Sequence, residues 1–203
     1  MPIIAKDNTE SKFSKIPLPE SGTTQAVCCA VWDLGLQKTN FNGEEKTQHK
    51  VIIAWEIVEK INVPDSEYNG KPYMLNRKYT LSLGDKANLR KDLESWRGKP
   101  FTADEIKNGF DLDKLYGVNC YIGIKHEQDR NDLTKVYANV TAILPLPKGT
   151  AKIAPVRLRE EAPPKWVLEK ISQAVPDVNN DSDPFDDANN GLDPRDSMPF
   201  GDK

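Results

Sequence analysis

GTTQAVCCAVWDLGLQKTNFNGEEKTQHKVIIAWEIVEK, residues 22–60, decides the fold. Residues 22–41 are rich in small, β-branched and aromatic side chains, which suit a pleated strand. Gly35, near the end of that run, predicts a bulge or sharp bend. Asn42-Gly43 follows, the dipeptide best suited to the positive backbone angles of a tight hairpin turn. The chain returns through residues 50–60, where Val51, Ile53, Trp55 and Ile57 alternate with their neighbours and share one face. The expectation is a long antiparallel hairpin with an apolar side.

Upstream, residues 1–22 read as an N-terminal arm, because Pro17, Pro19 and Gly22 punctuate polar sequence without periodicity. The opening MPIIAKDNTESKFSK is charged throughout and lacks a signal-like apolar run, and no stretch approaches the ~18 apolar residues of a membrane span. A soluble protein of a reducing cytoplasm, with no membrane partner, is expected. Downstream, the polar stretch at 61–77 leads to a third strand at KYTLSL (78–83), with Tyr79, Leu81 and Leu83 opposite Lys78, Thr80 and Ser82. Leu89, Leu93 and Trp96 lie at i, i+4 and i+7 and predict a helix that Gly98 stops. Thr102 through Glu105 reads as a capping box opening a second helical region, which Gly117 ends. A fourth strand, NCYIGIKHE (119–127), sets Cys120, Ile122 and Ile124 against Tyr121, Gly123 and Lys125. The loop at 128–135 returns the chain into a fifth, with Val136, Ala138, Val140 and Ala142 opposite Tyr137, Asn139 and Thr141.

The pattern is mainly β with a helical insert. Three strands before the insert and two after it match a five-stranded OB-fold barrel, whose helix commonly lies between strands three and four. A split sheet with helices on one face fits the same order. The domain runs over 23–149. Residues 150–176 read as a basic, Pro-rich linker with a short helix near 165–175, in which Trp166 or Ile171 docks on the body. Residues 177–203 form an acidic tail, expected to be disordered because it offers too little apolar area to offset the entropy of ordering.

A chain of 203 residues suits one domain with appendages, and its mean hydropathy of -0.64 is polar for a compact domain. The net charge of -3 conceals a division. Residues 177–203 hold eight Asp, no Glu, Arg195 and Lys203, a net of -6; the remainder holds 26 Lys and Arg against 23 Asp and Glu, a net of +3. A basic body joined to an acidic tail is an interaction-tail pattern compatible with a polyanionic ligand. Cys28, Cys29 and Cys120 form no CxxC and no Cys-His pairing at informative spacing with His49 or His126, so neither zinc nor a disulfide framework is expected, and no cofactor. No P-loop, GxSxG or HExxH is present. Asp111, Asp113 and Glu127 could hold Mg²⁺, but they sit where loops and helix starts carry acids anyway. A non-enzyme is expected.

Two resemblances bear on function. Asp196-Ser197-Met198-Pro199-Phe200 resembles the acidic tip of bacterial single-stranded DNA-binding proteins, where acids precede a terminal Ile-Pro-Phe or Leu-Pro-Phe. Here Gly201, Asp202 and Lys203 follow the Phe, whereas in that family its free carboxylate is the end bound by partners. Asp183-Pro184-Phe185-Asp186-Asp187 repeats the chemistry. The body, through VIIAWEI, YTLSLGDKANLRKDLESWRGKPFT, GFDLDKLYGVNCYI and VYANVTAILPLPKG (about residues 50–149), is similar to bacteriophage-encoded proteins of replication and recombination gene clusters described as single-stranded DNA-binding proteins. The resemblance implies an OB-like binder of single-stranded DNA acting in phage DNA replication, recombination and repair in a bacterial cytoplasm.

A sequence-tolerant single-strand binder needs cations that follow phosphates and rings on which bases stack. The outward parity of strands three to five supplies Lys78, Tyr121, Lys125 and Tyr137, with Thr80 and Asn139 beside them. OB ligands cross strands two and three between the loops joining strands one to two and four to five. Those loops offer Lys38, Phe41, Lys46 and Lys50, and His126, Arg130 and Lys135. Trp55 carries two readings, a stacking platform or, from its aliphatic neighbours, a core residue. Tyr121 and Tyr137 serve equally as cross-strand surface pairs. The tail residues Asp183, Pro184, Phe185, Asp186, Asp187, Asp196, Met198, Pro199 and Phe200 are expected to bind replication or recombination proteins, Phe filling an apolar pocket and the acids meeting a basic rim. The rival reading is an adaptor or recombination mediator whose body binds protein. Oligomeric state is open.

Overall fold

The computed structural model describes residues 16–41, 44–130 and 132–176. Most of the N-terminal arm, the Asn42-Gly43 turn and the acidic tail lie outside the described residues. The five strands are β1 (Gly22–Phe41), β2 (Glu44–Lys60), β3 (Pro72–Thr80), β4 (Asn119–Gln128) and β5 (Val136–Pro145). They form an antiparallel sheet in the order β3-β2-β1-β4-β5. β3 and β5 are its two edges, so the sheet is not closed into a barrel by hydrogen bonds among the described residues. Helices α1 (Asn88–Arg97) and α2 (Ala103–Asn108) and a 3₁₀ turn (Leu112–Leu115) lie between β3 and β4; α3 (Lys165–Ser172) follows β5. None of the helices is long and apolar enough to cross a membrane.

The inner face of the sheet holds the main core. Ala26, Cys28, Val51, Ile53, Trp55, Ile57, Cys120, Ile122 and Ile124 pack there against the Leu89, Leu93 and Trp96 stripe of α1. The helix is fastened by polar contacts at its margin: Trp96 Nε1 donates to the Asn119 carbonyl at 3.2 Å, and Tyr79 Oη donates to Asp92 Oδ2 at 2.8 Å. The capping box is present, with the Glu105 N–H donated to Thr102 Oγ1 and the Thr102 N–H to Glu105 Oε2.

Two bulges let β1 serve two cores. Cys28 pairs with Trp55 and Ala30 with Ala54, leaving Cys29 extra; Asp33 pairs with Val51 and Gly35 with Lys50, leaving Leu34 extra. An extra residue resets the alternation of a strand. Ala26 and Cys28 therefore face inward, whereas Cys29, Ala30, Trp32 and Leu34 join Ile52 and Ala54 in a second cluster on the outer face. Gly35 takes a left-handed conformation (φ 66°) at the second bulge, as its position in the sequence suggested, and a Cβ there would stand 3.1 Å from Ala174 Cβ.

That second cluster is covered by the chain's own C-terminal segment. Residues 150–176, the linker of the sequence reading, lie across the outer face as a strap. Val167 of α3 is fully buried there, with Trp166 and Ile171 packed beside it; full burial of such a side chain is worth about 1.5–3 kcal/mol. Trp32 meets Trp166 edge to face at 5.9 Å. Two buried polar side chains hold the strap's backbone. Asn119 accepts the Ile153 N–H at 2.9 Å and donates to the Ile153 carbonyl at 2.8 Å, while Glu56 accepts the N–H groups of Val156 and Arg157.

Two strand expectations need correction. The third strand runs over Pro72–Thr80 rather than 78–83, with Tyr73, Leu75 and Tyr79 buried and Leu81 exposed. In β5 the alternation does not continue to Ala142. Gly123 pairs with Ala142 and Ile124 with Val140, so Thr141 is an extra residue and Ile143, not Ala142, fills the core after Val140. Gly123 gives Thr141 its room: a Cβ at 123 would stand 3.0 Å from Thr141 Oγ1.

Candidate nucleic-acid interface

At the end of β1 beyond the second bulge, four lysines from four elements converge. Lys38 of β1, Lys50 of β2, Lys78 of β3 and Lys170 of α3 line one hollow of about 260 Å³, together with Leu34, Gln37, Thr39, Asn40 and Gln173. Among the described residues, no carboxylate is part of that lining. Lys50 is buried, 6% exposed, and its ammonium donates to Gln48 Oε1 at 2.7 Å and Thr80 Oγ1 at 2.8 Å. Lys78, two residues before Thr80, is exposed beside it. Lys38 reaches Glu45 at 3.7 Å, with both side chains mostly in solvent, a pairing of small worth that an incoming anion can replace. Like charges gathered in a concave site focus a positive potential, which an anion relieves.

Lys46 pairs with Thr39 across the same hairpin, and Phe41 closes β1 opposite Glu44, though the Phe41 side chain lies outside what the structure describes. Neither residue lines the hollow.

The remaining candidates form a second set on the outer face of β4 and β5. Lys125 pairs with Asn139 and Glu127 with Tyr137 in the ladder. Tyr121 is partly buried and Tyr137 is 48% exposed. Lys125 Nζ lies 3.3 Å from Glu127 Oε1, and Asn139 Nδ2 donates to Glu127 Oε2 at 2.8 Å; these bonds, Asn139 foremost, hold the Glu127 carboxyl below the usual range. In the loop between the strands Arg130 is exposed, while Lys135 pairs with Asp132 at 3.0 Å. The Thr134 hydroxyl, then Lys135, lower the Asp132 carboxyl to about 2. His126 Nε2 meets the Pro19 carbonyl at 2.8 Å. The strap crosses the sheet at β1 and β4, where Gln25 Nε2 donates to the Ala151 carbonyl at 2.7 Å and Asn119 binds Ile153. One expected groove thus resolves into a cationic hollow and an aromatic face.

Trp55 belongs to neither set. It is 0% exposed on the inner face, its ring 5.8 Å from that of Trp96, so no base can reach it. The parity it shares with Val51, Ile53 and Ile57 places it in the core, which corrects its inclusion among the DNA contacts. Lys170, Gln173 and Gln37, which also line the hollow, were not among the candidates, although the expected docking of Trp166 or Ile171 would carry their neighbours with it.

A second hollow of about 380 Å³ is lined by Trp32, Tyr116, Arg157 and Arg159, but also by Asp113, Glu160 and Glu161. Its ring faces are already covered, with Arg157 over Trp32 at 5.4 Å and Arg159 over Tyr116 at 5.6 Å. Mixed charge and occupied rings do not suit a polyanion. Cys28, Cys29 and Cys120 are free and buried. Burial pushes the Cys28 and Cys120 thiols up to about 12 and raises Cys29 as well, so none is a ready nucleophile. Among the described residues no group of three or more His, Cys, Asp or Glu is placed to hold a metal ion. The tail residues from Asp183 to Phe200 lie outside the described residues. No family model matches this chain, and no curated protein matches it.

Proposed function

We propose that the chain binds single-stranded DNA without strong sequence preference, in phage DNA replication and recombination. The observation that carries this reading is the convergence of Lys38, Lys50 and Lys78 on one hollow beside β2 and β3. Such a feature attracts backbone phosphates whatever the sequence. The strand order, with helices between β3 and β4, supports an OB-like fold, and in such folds the face of strands two and three carries the ligand. The half-exposed Tyr137 and the neighbouring Tyr121 offer rings for bases. The phage assignment rests on the resemblance read in residues 50–149, to which no family model or curated protein match adds. The acidic tail, net -6 with two Pro-Phe pairs, recruits replication or recombination proteins.

Because Trp32, Trp55 and Trp96 are buried, intrinsic quenching is a poor reporter. Anisotropy of a labelled oligo-dT, titrated at several salt concentrations, is the direct test. Expected are a preference for single strands over duplex, a log-log salt slope of about -0.7 per phosphate contacted, and a shallower slope with weaker binding for the Lys38→Ala/Lys78→Ala pair. Absence of binding at low salt rejects the reading, and equal binding by that variant rejects the hollow as its site. A failure to bind at all favours the adaptor.

A further inference from the structure

We infer that the cationic hollow is a discrete phosphate seat and that α3 is one of its walls, so that seating a phosphate and docking the C-terminal strap are a single coupled event. The inference rests on the single-strand reading and deepens it. A sequence-based division would end the binding domain at residue 149. Yet Lys170 and Gln173, both beyond that point, line the hollow with Lys38, Lys50 and Lys78.

α3 is tied to β1 at the mouth of the hollow. Gln37 Nε2 donates to the Leu34 carbonyl at 2.7 Å and to the Lys170 carbonyl at 3.0 Å, bridging strand and helix. Val175 forms a β-bridge to Leu36, its N–H donated to the Leu36 carbonyl at 2.8 Å. Gly35 lets Ala174 approach closely. The strap's helix thus adds a fourth lysine to the lining that Lys38, Lys50 and Lys78 provide. An anion seated in the hollow would meet lysines of both the sheet and α3. A volume of about 260 Å³ lies below the ~300–1,000 Å³ usual for small-molecule pockets. It suits one phosphoryl group with its attached sugar. By linkage, whatever α3 adds to phosphate affinity, the phosphate returns to strap docking.

The test is hydrogen exchange over residues 165–176 of the full chain, free and with three probes: an oligo-dT of about 12 nucleotides, the same oligomer with a 5′-phosphate, and inorganic phosphate alone. Expected are slowed exchange in α3 with either oligomer and, for Lys170→Gln, several-fold weaker binding with the salt slope reduced by about 0.7. That substitution leaves the backbone bond from Gln37 in place. Stronger protection by the 5′-phosphorylated oligomer marks the seat as one for a strand end, and equal protection as one for internal phosphates. If the oligomers bind while α3 exchange and the Lys170→Gln affinity stay unchanged, the coupling is wrong and the single-strand reading stands. If neither oligomer binds, that reading fails and inorganic phosphate decides: protection of α3 in the native chain but not in Lys170→Gln keeps the seat, and no protection removes it.

Discussion

Glu56 and Arg157 are joined across the outer face of the sheet: Glu56 Oε1 accepts the Arg157 backbone N–H at 2.9 Å, while Oε2 takes that of Val156 at 2.6 Å. A buried carboxylate on β2 thereby satisfies two consecutive amides of the strap. The Arg157 side chain continues the fastening, its guanidinium over Trp32 and in an ion pair with Glu161 at 2.9 Å.

Glu56→Gln replaces one acceptor oxygen by an NH₂ that faces an amide N–H. A buried donor is left without a partner, and the loss expected is about 1–3 kcal/mol. Urea unfolding measures it, and limited proteolysis should cut the variant first within residues 150–165. An unchanged midpoint with an uncut strap would show that the two bonds contribute nothing.

Acid should weaken the helical insert through two carboxyls. Glu94 accepts the Phe101 N–H and the Arg90 Nε–H, each at 3.0 Å, and Glu105 accepts the Thr102 N–H together with an ion pair to Arg97. These bonds, the backbone amide foremost in each case, hold both groups below the ordinary Glu value of 4.5. A folded-state value below the unfolded one gives stability that is complete above about pH 4.5 and is lost as pH falls through the folded value. Urea midpoints between about pH 3 and pH 6 should therefore converge for the native chain and Glu94→Gln at the acid end and separate at the upper end. Parallel curves would contradict the assignment.

Trp55 and Tyr137 should separate stability from binding. Trp55→Leu removes core volume and costs about 3 kcal/mol in stability, with unchanged oligo-dT affinity of the folded fraction. Tyr137→Leu, at a half-exposed position, keeps stability within about 0.5 kcal/mol and loses about 1–3 kcal/mol of binding. Reversed outcomes would place the stacking surface on the wrong side of the sheet.

Much of the sheet was readable because local rules and tertiary packing agree there. The bulge at Gly35, the Leu89-Leu93-Trp96 stripe and the Thr102 cap each depend on neighbours within a few residues. β3 was misplaced because Arg77 occupies a core-side position between Leu75 and Tyr79. Its charge is met by Asp92 at 3.0 Å and its guanidinium lies over the Tyr79 ring, so a buried-side cation broke the apolar alternation. In β5 the extra residue at Thr141 depends on Gly123 of another strand, and no local pattern announces it. The cationic hollow was half visible: Lys38, Lys50 and Lys78 were candidates, but their fourth partner arrives on a segment whose composition read as linker. Glu56 and Asn119 gave no sign, because a polar residue at an outward strand position looks solvated until something lies over it.

The partners of Glu56 stand 100 and 101 residues further along the chain. At about 5–20 residues per second of synthesis, roughly 5–20 s separate the making of β2 from the arrival of its cover. Throughout that interval Trp32, Ile52 and Leu34 have no strap over them, so the nascent chain presents a sticky surface to the ribosome's surroundings. Translation that stalls before α3 would release a product with that surface permanently bare, making a segment synthesised late the one that decides whether the first strands fold without aggregating.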